Sequence, residues 1–113
     1  MQHAKAVKFF EEVLSKTRVG KIRWEPTAAE SDYITAIGGR FTLSISECRD
    51  TFADSIIYAL ALKDQDGREL TKVVSGDDGI SWTETRELFE AARRQALCVD
   101  DKIDQVLGAL SKL

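Results

Sequence analysis

Tyr33-Ile34-Thr35-Ala36-Ile37-Gly38-Gly39-Arg40-Phe41-Thr42-Leu43-Ser44-Ile45 contains the only Gly-Gly pair of the chain. A phosphate-cradling loop needs such glycines between a strand and a helix, so that free backbone N–H groups and the helix N-terminus face the anion. Here both flanks alternate with period two. Tyr33, Thr35 and Ile37 oppose Ile34 and Ala36, and Phe41, Leu43 and Ile45 oppose Thr42, Ser44 and Ser46. The stretch therefore reads as a β-hairpin whose type I′ turn takes positive φ at both glycines, a conformation they reach without steric cost. Arg40 is left at the exposed edge.

Upstream of the hairpin, Ala6, Val7, Phe10, Val13, Leu14 and Thr17 recur at helical spacing, with Gly20 as the stop. Ile22 and Trp24 alternate with Arg23 and Glu25 in a short strand that Pro26 ends, and residues 27–32 form a loop. Downstream, residues 47–55 read as a polar connection. Residues 56–63 are apolar on both sides, as in an interior strand. Asp64-Gln65-Asp66-Gly67 is a turn, and residues 69–75 make a fifth strand. As a calcium loop DQDG fails, because Val73 stands where the bidentate glutamate belongs.

Ser81-Trp82-Thr83-Glu84 has the form of a capping box. It opens a helix with Trp82, Thr85, Leu88, Phe89, Ala92 and Ala96 on one side. Asp100 caps a last helix, predicted to carry Ile103, Val106, Leu107 and Leu110 inward. The pattern predicts one α+β domain over residues 1–113: an N-terminal helix, a five-stranded antiparallel meander and two C-terminal helices, the helices mainly on one face.

At 113 residues with 43% hydrophobic and 31% charged residues, the chain has the composition of a single soluble domain. Its longest apolar run, residues 56–62, is far short of the roughly 20 residues that span a bilayer. The charged N-terminus lacks the apolar stretch of a signal peptide. Cys48 and Cys98 have neither metal-ligand nor redox spacing and read as reduced thiols, so the expected location is the cytoplasm. A net charge of −3 argues against a general polyanion binder, although residues 1–24 carry an excess of four positive charges.

Catalytic chemistry finds little to work with. His3 is the sole histidine and sits in a segment expected to fray. The pairs Glu11-Glu12, Asp77-Asp78 and Asp100-Asp101 are adjacent in sequence, as turns and caps favour, rather than opposed across a cleft. No catalytic residue, metal ligand or cofactor is therefore expected.

The more informative feature is the sheet's second face. It is predicted to carry Ile34, Ala36, Ile57, Ala59, Ala61 and Val73 among Thr42, Ser44 and Thr71, opposite a large apolar face built on Trp24, Leu43, Ile45 and Leu60. Either a helix covers this second face or a partner does. The leading expectation is a non-enzymatic module that binds another protein, or itself as a homodimer. The layout resembles in general form many small uncharacterised bacterial proteins, without a diagnostic motif, and the roles expected of such a module are those of an immunity, antitoxin, chaperone or adaptor protein. Binding would use the sheet face or edge, through Ile34, Arg40, Ile57, Ala59 and Val73.

Two alternatives compete. A nucleic-acid role would use Lys5, Lys8, Arg23, Arg86, Arg93 and Arg94 as one positive stripe, but Glu84, Glu87 and Glu90 share the arginines' helix and can neutralise them. A small-ligand pocket would be lined by Trp24, Tyr33, Tyr58 and Trp82, although such aromatics ordinarily fill cores.

Overall fold

The computed structural model describes residues 2–77 and 79–113; Met1, Asp78 and the side chains of Gln2 and His3 lie outside the described set, and with them the sequence readings on His3 and Asp78. Its elements are α1 (Gln2–Arg18), β1 (Glu25–Pro26), β2 (Asp32–Ile37), β3 (Phe41–Asp50), β4 (Ser55–Lys63), β5 (Glu69–Val74), α2 (Trp82–Ala96) and α3 (Val99–Leu110). The strands form one antiparallel sheet in sequence order, the expected α+β meander.

The hairpin turns where the sequence puts it. Gly38 and Gly39 have φ of 64° and 72°. Pairing closes at Ile37↔Phe41, so Arg40 joins the loop, and Tyr33↔Ile45 and Thr35↔Leu43 stack on one face. That face continues through Leu60 and Leu62 of β4. It holds the core: Phe10 and Leu14 of α1, Leu88, Phe89 and Ala92 of α2, and Ile45 and Leu60 of the sheet are all at most 3% exposed. Apolar burial of this kind is the main stabilising term, at about 25 cal/mol per Å².

Four local expectations change. Ile22 and Trp24 belong to no strand. The Trp24 backbone N–H donates to Gln95 Oε1 at 2.7 Å, so a helix side chain takes the donor that a ladder would use, and its indole N–H donates to Thr17 Oγ1 at 3.1 Å. Residues 47–50, expected in a connection, prolong β3, because the β3–β4 ladder continues past the end of β2 as a two-stranded ribbon to Asp50↔Ser55. Just past the end of β5, Ser75 donates its N–H to the Tyr58 carbonyl at 2.8 Å, and its hydroxyl accepts from Tyr58 N–H at 3.0 Å.

The third change moves a whole strand. A bulge between Leu62 and Lys63 lets Leu62 pair with Thr71 while Lys63 pairs with Glu69. Uninterrupted pairing from Lys63↔Glu69 would set Val73 opposite Ala59 on the second face, as expected from sequence. With one residue inserted, Val73 pairs with Leu60 and is buried at 2% exposure beneath the helices, and Thr71 turns to the same face. Lys72 and Val74 face outward instead.

The fourth concerns α3, whose apolar residues do not point inward. Not one of its residues is buried, and its substantial neighbour is α2 alone. Cys98, between the two helices, adopts the left-handed conformation (φ 52°, ψ 45°) and redirects the chain, and Arg94 Nη2 meets Asp100 Oδ1 at 2.5 Å across the corner. The result is an elongated molecule of 58 × 37 × 25 Å with a radius of gyration of 15.8 Å, where a compact domain of this length would have about 13 Å.

Candidate interaction surface

Val99, Ile103, Val106, Leu110 and Leu113 follow one another at spacings of four, three, four and three, the seam of a heptad repeat. Val99, Ile103, Val106 and Leu110 form a single line on α3, flanked by Leu107 and followed by Leu113 just past the helix end, with Asp101, Asp104 and Gln105 opposite. Ile103 is 46% exposed, Val106 56%, Leu107 57% and Leu110 55%. Asp100 and Asp101 in the first turn complement the helix dipole. The sequence shows the stripe plainly; its exposure depends on the turn at Cys98.

A second uncovered hydrophobe stands at the other hairpin. Phe52, at the tip of β3–β4, is fully exposed, held in a turn where Asp50 Oδ1 accepts from the Phe52 and Ala53 N–H groups at 3.0 and 3.3 Å. Arg49 and Asp54 pair beneath it at 2.9 Å.

The predicted partner-binding residues divide. Ile34 and Ile57 are half-buried on the second face, Ala59 is flush within it at 8% exposure, and Arg40 is exposed in the hairpin loop. Val73 lies in the core on the opposite side. The core cluster includes no residue of the second face, and among the described residues no helix packs on it. Its outward side chains are mostly Ala, Ser and Thr, the surface of an antiparallel sheet with one solvated side. The β5 edge is guarded by Glu69 and Lys72, 3.7 Å apart, and by the bulge, features that discourage strand addition.

Of the six candidate cations, the three arginines of α2 have local partners. Arg93 pairs with Glu90 at 4.0 Å, Arg94 with Asp100, and Arg86 lies 5.7 Å from the centre of the Trp82 ring. Lys5 and Lys8 are on α1, and Arg23 is in the loop before β1.

Two of the four candidate pocket aromatics join a core cluster around Phe89, which contacts Tyr33 and Tyr58 at centroid distances of 5.5 and 5.3 Å, while Trp82, 44% exposed, lies 5.8 Å from Tyr58 at its margin. Trp24 is buried at 2% exposure under Thr17 and Gln95. Burial, reinforced by Glu47 across the ladder, raises the Tyr58 phenol above its usual pKa. A cleft of about 610 Å³ does open at the root of α3, between Glu30, Tyr33, Glu47, Phe89, Arg93 and Leu97. Only Tyr33 of the expected aromatics reaches it. A smaller apolar groove of about 320 Å³ lies between α1 and the β2–β3 hairpin, lined by Phe9, Val13, Ile37, Phe41 and Leu62.

Among the described residues no three His, Cys, Asp or Glu side chains are grouped to hold a metal ion, and no helix is long and apolar enough to cross a membrane. Comparison with known proteins finds no match to a family model, a curated protein or a solved structure.

Proposed function

We propose that this protein is a non-enzymatic interaction module that docks another polypeptide through α3. One observation carries the reading: from Ile103 to Leu110, α3 presents a continuous apolar seam that is about half exposed, uncovered by any other described element. A twelve-residue helix is marginal in water by its own propensity, and helices of this length owe their order to burial of the apolar face. The seam is a helix-in-groove or helix-on-helix anchor of the kind read at i, i+3, i+4 and i+7. Phe52 and the small-residue sheet face are secondary contacts of the same module.

The carboxylate pairs support this assignment by serving local structure: Asp100 binds Arg94, and Asp77 Oδ2 accepts the Val74 N–H at 3.1 Å. The nucleic-acid alternative loses ground because Arg93 and Arg94 are committed to carboxylates and Arg86 rests on Trp82. Both cysteines are exposed and free, which suits a reducing, cytoplasmic setting. An adaptor, chaperone, immunity or antitoxin role is compatible with such a module.

A photo-crosslinking residue at position 106 tests the reading. Crosslinks from α3 to a protein are the expected result, lost when Ile103 and Leu110 are both changed to Lys. A crosslinker that captures only solvent at every concentration and in cell extract would sink the proposal.

A further inference from the structure

Resting on the reading of α3 as a docking helix, we propose that its occupant is α3 of a second copy of this chain, packed antiparallel about a two-fold axis near Val106. An isologous pair requires a self-complementary surface, and a straight seam of Val99, Ile103, Val106, Leu110 and Leu113 meets that requirement with itself. Inverting one helix about Val106 sets Val99 opposite Leu113 and Val106 facing Val106, and brings Ile103 within one residue of Leu110. Every apolar side chain then meets another.

Charge selects the orientation. Residues 99–104 contain Asp100, Asp101 and Asp104 against Lys102, a net charge of −2 before Arg94 neutralises Asp100, whereas residues 105–113 contain Lys112 as their one charged side chain. Antiparallel packing sets each acidic half beside the half that carries Lys112, and each helix N-terminus beside a C-terminus. Parallel packing would bring two acidic halves within a Debye length of about 8–10 Å. The bodies diverge at opposite ends of the pair, because each α3 leaves its own body at Cys98.

Area sets the strength. With four seam and flank residues about half exposed and Leu113 fully so, each α3 offers roughly 500 Å² of apolar surface, which places the pair at about 1,000 Å² in total, the lower limit for a specific interface. The dimer is accordingly placed among weak, reversible associations. Monomer–dimer exchange would leave α3 open to a different partner at low concentration.

Sedimentation equilibrium of the full chain from about 5 µM to 1 mM is the test. The expected result is a reversible monomer–dimer equilibrium, weakened more than tenfold by Val106→Lys, with the sheet and core unchanged by circular dichroism because Val106 is already exposed. In a Cys48→Ser, Cys98→Ser background, Val99→Cys and Leu113→Cys chains mixed under mild oxidant should give a mixed disulfide dimer, and neither should do so alone. A strict monomer at 1 mM overturns the inference, as does a dimer indifferent to Val106→Lys. Self-crosslinking of Leu113→Cys alone overturns the antiparallel pairing. A monomer whose position-106 crosslinker captures a different chain rejects the homodimer yet retains the docking helix; a monomer with no crosslink rejects both.

Discussion

The Arg18 guanidinium grips the Glu87 carboxylate with two hydrogen bonds, Nε to Oε2 at 2.6 Å and Nη2 to Oε1 at 2.7 Å, joining the end of α1 to the middle of α2. This fork holds the two covering helices in one arrangement over the sheet. It also lowers the Glu87 pKa, chiefly through the hydrogen bond from Arg18. A carboxylate held lower in the folded state stabilises that state above its ordinary, unfolded pKa, and the contribution disappears as pH falls through the lowered folded value. Both side chains are about half exposed, so the effect is small. Urea denaturation should find wild type more stable than Glu87→Gln at pH 6, with the difference shrinking as acid protonates Glu87. A difference that does not change on acidification would contradict the assignment.

Val73 and Val74 adjoin in sequence and face opposite sides of the sheet. Val73→Asp strands a carboxylate beneath the helices and should cost several kcal/mol, of order the whole stability of a small domain. Val74→Asp should remain folded, with a loss of about 1 kcal/mol or less. Thermal melts of the two variants distinguish the bulged register from the uninterrupted one, since the latter requires the reverse ranking.

At Gly38 and Gly39 an added Cβ would meet no atom within 4 Å, so any penalty for alanine comes from the positive φ alone. Each Gly→Ala change should cost about 1 kcal/mol, and Gly→Asn distinctly less, because asparagine tolerates the left-handed region. Equal melting temperatures for the Ala and Asn variants would argue against a left-handed turn.

The hydroxyl of Ser81 accepts the Glu84 N–H at 3.2 Å, the serine half of the cap expected from sequence. Ser81→Ala should lose about 1 kcal/mol and Ser81→Asp should retain most of the stability. Denaturant midpoints with unchanged m-values would confirm that the loss is local to the cap.

Sequence patterning carried the class of fold, because periodicity is local. The 3.6-residue stripes of α1 and α2 and the alternation around Gly38-Gly39 each state which side must leave water, and no partner is needed to read them. The serine cap and the DQDG turn are equally local. Asp64 Oδ1 accepts the Asp66 and Arg68 N–H groups at 3.0 and 2.9 Å, so the turn closes on itself.

The candidate site was half legible. Ile103, Val106, Leu107 and Leu110 are visible as one face of a helix, but a face needing cover looks the same in sequence whether the cover is its own sheet or another molecule. The two-per-heptad spacing, narrower than the stripe of a core helix, was the available signal. Val73 was misplaced because strand parity depends on how β5 docks on β4, and one inserted residue reverses every side chain.

By itself, then, the sequence determined the element types, the hairpin at Gly38-Gly39 and which residues seek burial, since these follow from backbone sterics and the period of apolar side chains. Only the tertiary structure decided what each apolar face meets. The bulge at Leu62/Lys63 sent Val73 into the core, and the left-handed Cys98 carried α3 away from it. Both are single-residue backbone events whose consequences appear only where distant segments come together.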